Sequence, residues 1–305
     1  MTTHAIGRMG LAQWLLLITL SILWGGSFFF NEVALRGLPP LVVVWGRIGV
    51  GCLGLLVVLA VSSQDIRQYL GRWRDFFVLG ILNTFIPFSL IVWGQQYIDS
   101  GLASVINATT PAFTILLANY FTTDERASMR KFAGAILGLG GVATLIGSHA
   151  LFGFGNQILA QAAIMGAALS YACSAIYARR LYGVPSLISA CGQLTASTLV
   201  MTPIVLFLCR PWELPFPGYD ALGAVIGLGL VCSALAYVIY FRILASAGAT
   251  NLQLVTLLIP FSASALGVTI LGEPFTWRLV LGMIIVTTAA LLIDGRLSFG
   301  RRRSK

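Results

Sequence analysis

Long apolar stretches separated by short polar segments run through almost the whole chain. A helix needs about 20 mostly apolar residues to cross the hydrocarbon core of a bilayer, and most of these stretches are that long. The stretch from Phe132 to Ala178 is long enough for two helices, and its glycine-containing segment 147–156 predicts the turn between them. The pattern therefore predicts ten transmembrane helices, at residues 11–33, 41–61, 75–97, 101–121, 131–148, 157–179, 185–208, 220–242, 248–271 and 276–294.

The amino-acid composition supports the same fold class. Hydrophobic residues make up 58% of the chain and charged residues 10%, with a mean hydropathy of +0.90. These values exclude an ordinary soluble domain. The apolar runs also lack the alternation of polar and apolar residues that is typical of barrel strands. We therefore expect an all-α integral membrane protein.

The distribution of basic residues predicts the orientation in the membrane. The net charge is +9, and cytoplasmic loops usually carry the excess of lysine and arginine. If the N-terminus is inside, most of the 19 basic residues fall on the cytoplasmic side: Arg8, Arg67, Arg72, Arg74, Arg126, Arg130, Lys131, Arg179, Arg180, Arg242, Arg296, Arg301, Arg302, Arg303 and Lys305. We expect a multi-pass protein of a bacterial inner membrane with both termini cytoplasmic. Basic residues spread over several loops indicate contact with the lipid bilayer rather than with nucleic acid.

Two halves of the chain resemble each other. The segment that begins at Glu125 matches the segment that begins at Glu273, and Pro111 and Pro260 each interrupt the preceding span. We therefore predict a first five-helix repeat over residues 1–150 and a second over residues 151–305. Because five is odd, the second repeat is expected to be inverted relative to the first. Inverted repeats are typical of transporters, whose substrate site lies at the repeat interface near the bilayer midplane.

Several motifs extend this prediction to a family. They are Leu23-Trp24-Gly25-Gly26-Ser27-Phe28-Phe29, Leu38-Pro39-Pro40, Gly46-Arg47 and Leu271-Gly272-Glu273-Pro274-Phe275-Thr276. With these motifs the chain resembles the EamA-type branch of the drug/metabolite transporter superfamily, and looks most like bacterial aromatic amino acid exporters. The resemblance covers the whole chain and implies export of amino acids by alternating access, with no enzymatic activity. Members of the superfamily also carry drugs or other metabolites, so that alternative stays open.

Polar and aromatic residues inside the predicted spans are the candidates for substrate binding, because polar groups within a bilayer are costly and often functional. Helical periodicity groups them on inward faces. The candidates are Trp24, Phe28, Asn83, Ser104, Asn107, Gln161, Tyr171, Ser174, Tyr237 and Gln253. In this interpretation the rings pack against a substrate side chain while the amides and hydroxyls contact its amino and carboxylate ends. The alternative is that amides bond neighbouring helices and that aromatic residues, Tyr177 and Tyr240 among them, form interfacial belts.

Three prolines and one arginine have two interpretations each. Pro87, Pro111 and Pro260 each remove a backbone hydrogen bond, so they are candidate hinges, although proline is also common in ordinary membrane helices. Arg47 is expected to extend to a membrane face or to pair there. A gating role together with Glu32 is the other interpretation.

The remaining chemistry of the chain is sparse. The five cysteines are scattered through apolar spans and indicate neither a metal site nor a disulfide framework, and no cofactor motif is present. A proton relay normally needs an acid or histidine within the membrane, yet His4 and His149 lie in terminal or loop segments. We therefore expect a uniporter or a weakly proton-coupled carrier, acting as a monomer, with small molecules such as amino acids as substrates.

Overall fold

A computed structural model describes residues 9–122, 128–151, 156–272 and 277–294, and in these ranges the chain is helical with short turns and no strand. The matched Glu125 and Glu273, His4 and the basic tail 301–303 lie outside the described residues. The α-helices are α1 (Leu11–Leu35), α2 (Pro40–Val61), α3 (Trp73–Gly80), α4 (Ile86–Gly94), α5 (Ser100–Asn107), α6 (Thr110–Phe121), α7 (Met129–Leu151), α8 (Asn156–Ala178), α9 (Ser186–Leu208), α10 (Tyr219–Gly229), α11 (Ala236–Gln253), α12 (Val255–Leu266) and α13 (Trp277–Asp294).

By length and composition, seven helical segments within the described ranges are suited to cross a membrane. They are Leu11–Leu35, Pro40–Val61, Ile66–Gly94, Ser100–Phe121, Asn156–Leu181, Ser186–Leu208 and Tyr219–Gln253. Shorter apolar helical stretches cover Val255–Leu271 and Val280–Ile293. Helices of this kind satisfy their own backbone hydrogen bonds, which is a condition for entering lipid.

Helix ends follow the local sequence. Pro39 is extended (φ −62°, ψ 149°) and Pro40 opens α2, where its missing N–H is not needed. The third membrane segment begins earlier than the predicted residue 75, since the Asp65 carboxylate accepts a hydrogen bond of 2.9 Å from the Arg67 amide and starts a 3₁₀ turn over Ile66–Arg72. Helix α7 continues to Leu151, beyond the predicted end at residue 148.

Among the described residues there are three π-helical turns: one, Gly267–Leu271, follows α12, and the other two interrupt long helices in the two halves of the chain. The turn Ile81–Phe85 joins α3 to α4, and the turn Leu230–Leu235 joins α10 to α11. A π turn adds a residue to the helical repeat and is frequent at functional sites. The first turn carries two buried polar residues, Asn83 and Thr84, and the second carries the buried Ser233.

Two of the three predicted hinge prolines, Pro87 and Pro111, lie at helix breaks, whereas Pro260 does not. The span over 100–121 is split between α5 and α6, with Pro111 in the first turn of α6. Helix α11 is broken at Gly248, whose φ of +81° few other residues adopt readily, and Pro260 lies inside α12. Pro87 lies in the first turn of α4, directly after the first π turn.

The packing of the helices repeats between the halves of the chain. Helix α1 packs against α10 and α12, while α8 packs against α4 and α6. Helix α2 contacts α10, and α9 contacts α3 in the same way. Pairs α2–α9 and α7–α13 join the two halves directly. These contacts of first-half helices therefore have counterparts among the contacts of second-half helices.

A close approach of α1 to α12 explains one glycine of the Leu23–Phe29 motif. A Cβ atom at Gly25 would collide with the Ser262 side chain and would lie 2.9 Å from the Ala263 backbone nitrogen. The Ser262 hydroxyl also donates a 2.9 Å hydrogen bond to the Ser21 carbonyl oxygen. Small residues allow this spacing, as is common between membrane helices.

We expect Gly25→Ala to lower the free energy of unfolding by about 1–3 kcal/mol, because the added methyl group forces α1 and α12 apart. The measurement is thermal unfolding of the purified protein in detergent. Gly49→Ala is the matched control, since a Cβ there meets no atom within 4 Å. Equal unfolding temperatures for the two variants would contradict the close helix contact.

Candidate functional site

A small buried cavity lies where helices from both halves of the chain meet. Its volume is about 30 Å³, which is room for a few water molecules. Helices α1, α2, α4 and α5 of the first half and α8, α11 and α12 of the second half line it. The lining residues are Trp24, Ser27, Phe28, Asn31, Arg47, Phe88, Ile91, Val92, Asn107, Tyr171, Tyr240, Gln253, Thr256 and Ile259.

Aromatic rings form one wall of this central cavity. The ring centroid of Trp24 lies 6.1 Å from that of Tyr237 and 5.8 Å from that of Tyr240. The two tyrosine rings lie 5.7 Å apart in an edge-to-face arrangement, and the Phe88 ring lies 6.4 Å from Tyr237. Such geometry stabilises a rigid aromatic wall.

Some polar atoms at the cavity are buried without a hydrogen-bond partner among the described residues. They are the Trp24 indole Nε1, the Tyr240 hydroxyl and the amide oxygens of Asn31 and Asn107. Unpaired buried polar groups are costly, and they are rare in folded proteins unless water or a ligand satisfies them. The cavity therefore presents both a donor and acceptors to whatever enters it.

Arg47 places a positive charge at the same cavity. Its side chain is buried, and its guanidinium carbon lies 3.7 Å from the centroid of the Phe88 ring. The Nε–H donates a 2.9 Å hydrogen bond to the Ser233 hydroxyl, and Nη2 donates a longer one of 3.4 Å to the Cys232 carbonyl oxygen. No carboxylate pairs with Arg47 within the described ranges. The expectation that Arg47 extends to a membrane face or pairs near one is therefore wrong.

Asn83 lies at the centre of a separate network between helices. Its amide nitrogen donates a 3.1 Å hydrogen bond to Gln193, and its amide oxygen accepts a 3.0 Å hydrogen bond from Ser174. The Tyr237 hydroxyl donates to the Asn83 carbonyl oxygen at 2.7 Å. Next to it, the hydroxyls of Thr84 and Ser197 share a hydrogen bond. This network joins α8, α9 and α11 to the first π turn.

The predicted site residues divide into three groups. Trp24, Phe28, Asn107, Tyr171 and Gln253 line the cavity. Asn83, Ser174 and Tyr237 belong to the helix network, where Tyr237 also supports the Trp24 ring. Ser104 donates to the Gly101 carbonyl oxygen of its own helix at 2.7 Å, and Gln161 is half-buried on α8 away from the cavity lining.

Nine of the fourteen cavity residues were not among the predicted site residues, and Arg47, Tyr240 and Asn31 are the polar ones with most bearing on the site. Arg47 was expected near a membrane face, and Tyr240 near a span end, yet both are buried at the cavity. For Arg47, its position in the middle of an apolar run was the feature of the sequence that could have indicated a functional residue. Periodicity groups Tyr240 on one face with Ser233 and Tyr237, and its position near a predicted span end is what favoured an interfacial belt instead.

A polar vestibule lies next to the cavity. It has a volume of about 380 Å³ and is lined by Glu32, Arg36, Gln95, Gln96, Tyr97, Ile98, Asp99 and Leu271. The Asn31 amide nitrogen donates a 2.9 Å hydrogen bond to the Gln95 amide oxygen, and the Gln95 amide nitrogen donates to the Phe28 carbonyl oxygen at 3.1 Å. Because Asn31 lines the cavity and Gln95 lines the vestibule, this pair lies between the two spaces.

Apolar helices around a buried, partly polar cavity define the class of a multi-pass membrane transporter. The EamA-like transporter family model matches this chain twice, over residues 12–147 and 158–294. The chain therefore belongs to the EamA-like transporter family, and it is not an enzyme. The two matches confirm a two-repeat chain, and the central cavity is lined from both matched segments.

Relatives of the chain are similar over nearly their full length. The uncharacterized transporter YoaV of Bacillus subtilis is 20% identical, covering 94% of this chain and 97% of its own. A probable terminal-alkyne amino-acid exporter of Streptantibioticus cattleyicolor is 24% identical, covering 97% of both chains. A solved crystal structure is 19% identical and superposes with a TM-score of 0.72, covering 92% of this chain and 96% of that one. This last likeness shows the fold alone.

We expect Asn83→Ala to destabilise the protein by about 1–3 kcal/mol, because Gln193 and Ser174 lose their buried partner. Thermal unfolding in detergent measures this loss. Ser89→Ala is the matched control, since the Ser89 hydroxyl is buried and makes no hydrogen bond to the described residues. If Asn83→Ala keeps full stability but loses substrate binding, its amide contacts the substrate instead.

Proposed function

We propose that this protein exports amino acids, aromatic and other neutral ones, across a bacterial inner membrane by alternating access. The observation that carries the proposal is the central cavity between the two halves, lined by aromatic rings and by unsatisfied amide groups. Rings of this kind bind an apolar or aromatic side chain, while the amides and the indole N–H suit the polar end of an amino acid. The amino-acid exporter among the relatives supports the same substrate class.

The charges at the cavity favour a neutral or zwitterionic substrate over a lipophilic cation. A cationic drug is best held by a buried carboxylate or by an aromatic cage without competing positive charge. Among the described lining residues there is no carboxylate, and the one ionised side chain is Arg47. Export of drugs or other metabolites through the same fold is the alternative. The transport measurement described below distinguishes it from amino acid export.

Alternating access is supported by the arrangement of the helices. In the proposed topology ten helices form two inverted five-helix repeats, residues 1–150 and 151–305, with both termini in the cytoplasm. The exchange of equivalent contacts is what a twofold relation between the halves produces, and with five helices per repeat the proposed axis lies in the membrane plane. Rocking of one half against the other would then open the cavity to each side in turn.

The Asn31–Gln95 hydrogen bond is the proposed gate towards the vestibule. In this topology α1 ends on the outer side, so the vestibule faces the periplasm. The pair closes the cavity with neutral amide groups, and one hydrogen bond of this kind is worth about 0.5–1.5 kcal/mol. Breaking this hydrogen bond therefore requires little enough free energy to occur in each transport cycle.

Transport into liposomes tests the proposed function directly. We expect the purified protein to move labelled phenylalanine and threonine above the level of empty liposomes, with little effect of a pH gradient. A labelled lipophilic cation should move no faster than in the empty liposomes. If neither amino acid moves, amino acid export is wrong, and movement of the cation alone would favour the drug-export alternative.

In the same assay Trp24→Ala should raise the KM for phenylalanine by about tenfold or more, as expected for loss of a central aromatic contact. Trp73→Ala is the control, because Trp73 is an exposed tryptophan of α3 outside the cavity.

The proposed gate can be tested by thiol labelling. With the five native cysteines replaced, Ser27→Cys places a thiol in the cavity. A membrane-impermeant thiol reagent is added from the vestibule side, and the rate at which it labels this thiol is measured. The additional change Asn31→Ala should raise that rate about two- to tenfold, because this factor corresponds to the free energy of one hydrogen bond. Gln96→Ala changes a vestibule residue outside the pair and should have no effect. Equal labelling in all three proteins would show that the pair does not close the cavity.

A further inference from the structure

We infer that Arg47 is the residue that binds the carboxylate of the cargo, so that the transporter selects molecules with a free carboxylate group. The inference deepens the proposed function and rests on it for the choice of cargo. Sequence reasoning assigned the carboxylate to amide and hydroxyl groups, whereas the structure brings a buried guanidinium to the central cavity.

The first argument is the unbalanced charge. An ionised side chain inside a membrane protein normally pairs with an opposite charge or faces a substrate pathway. Arg47 is only 3% exposed, and no acidic side chain pairs with it among residues 9–122, 128–151, 156–272 and 277–294. The Phe88 ring offsets part of the charge through a cation–π contact. An anionic group entering the cavity would complete the pairing.

The second argument is the way in which the guanidinium is held. Its Nε and Nη2 donate to Ser233 and to the Cys232 carbonyl oxygen, and both of these acceptors belong to the second π turn. The Nη1 group makes no hydrogen bond to the described residues. Phe88 and the π turn therefore fix the guanidinium plane and leave donors for a ligand. Arginine in a fixed plane is well suited to carboxylate oxygens.

The third argument is the set of groups that shares the cavity. The amide oxygens of Asn31 and Asn107 lack partners and can accept hydrogen bonds from an ammonium group. The Trp24 and Tyr240 rings line the same space and can contact an apolar side chain. A molecule with a carboxylate, an ammonium group and a ring or apolar chain satisfies all of these groups together. A free α-amino acid has this combination.

The experiment compares ligands that differ only in the carboxylate. Phenylalanine and phenylalanine amide compete against labelled phenylalanine in liposomes containing the wild-type protein, Arg47→Gln, Arg47→Lys or Arg242→Gln. For the wild-type protein we expect phenylalanine to inhibit at a concentration at least about tenfold lower than phenylalanine amide. This ratio corresponds to the typical free energy of a hydrogen bond to a charged group. In Arg47→Gln this ratio should fall close to one. Arg47→Lys, which keeps the charge without the planar fork, should retain part of it.

Arg242→Gln removes the same charge from an exposed position of α11 and should leave the ratio unchanged. A purely structural Arg47 would weaken both ligands equally and preserve the ratio in Arg47→Gln, which would overturn the inference. A ratio near one in the wild-type protein would also overturn it. If Arg47→Gln does not fold, the wild-type ratio and Arg47→Lys decide the question.

A binding measurement separates this inference from the proposed function. The unfolding temperature of the purified protein in detergent is measured in the presence of 3-phenylpropionate or of 3-phenylpropanamide. These ligands test binding, and they need not be transported. We expect 3-phenylpropionate, but not 3-phenylpropanamide, to raise the unfolding temperature of the wild-type protein, and neither ligand to do so in Arg47→Gln. This result would support the carboxylate site even if no amino acid moves in liposomes. Equal effects of the two ligands would overturn the site, while uptake of phenylalanine by the wild-type protein would still support export.

Discussion

Backbone hydrogen bonding is the constraint on which this structure depends. Lipid offers no partner to a free backbone N–H or C=O, so a break in a membrane helix is tolerated only where protein or a cavity covers it. In this protein the breaks occur in the helices that surround the centre: the turns Ile81–Phe85 and Leu230–Leu235, the junction between α5 and α6, and Gly248 in α11. The irregular backbone and the central cavity are thus features of the same region.

The two π turns have complementary roles within that region. The first presents Asn83, whose amide joins α8 and α9 and fixes the first half of the chain against the second. The second presents Ser233 and the Cys232 carbonyl oxygen, which hold Arg47 from α2. One turn therefore satisfies its polar groups by bonding helices together, and the other by orienting a charge at the cavity. The difference explains why two residues at similar positions in the repeats contribute differently.

The hydrophobic pattern predicts the helices well because a bilayer imposes length and polarity on each span, and most helix ends fall within a few residues of the predicted ones. The cavity is harder to predict. Periodicity correctly placed Trp24 and Phe28 on the inward face of α1, but a π turn rotates the residues that follow it, so the faces of α4 and α11 cannot be read from a regular 3.6-residue repeat.

Arg47 lies seven residues after Pro40, roughly 10 Å along the helix axis. A side chain as long as arginine could reach an interface from there, and only the packing of α2 against the second π turn shows that it turns inwards.

The size of the cavity links this geometry to movement. Sites for small molecules usually enclose about 300–1,000 Å³, whereas the central cavity has about 30 Å³. Under the proposed function the walls of the cavity must therefore move apart before an amino acid can enter. In the proposed site a bound substrate would stabilise the separated arrangement, because the amide oxygens of Asn31 and Asn107 and the Nη1 group of Arg47 would gain hydrogen-bond partners that they lack in the closed cavity. A ligand shifts a conformational equilibrium by its difference in affinity between the two states, and a closed cavity too small for the cargo makes that difference large.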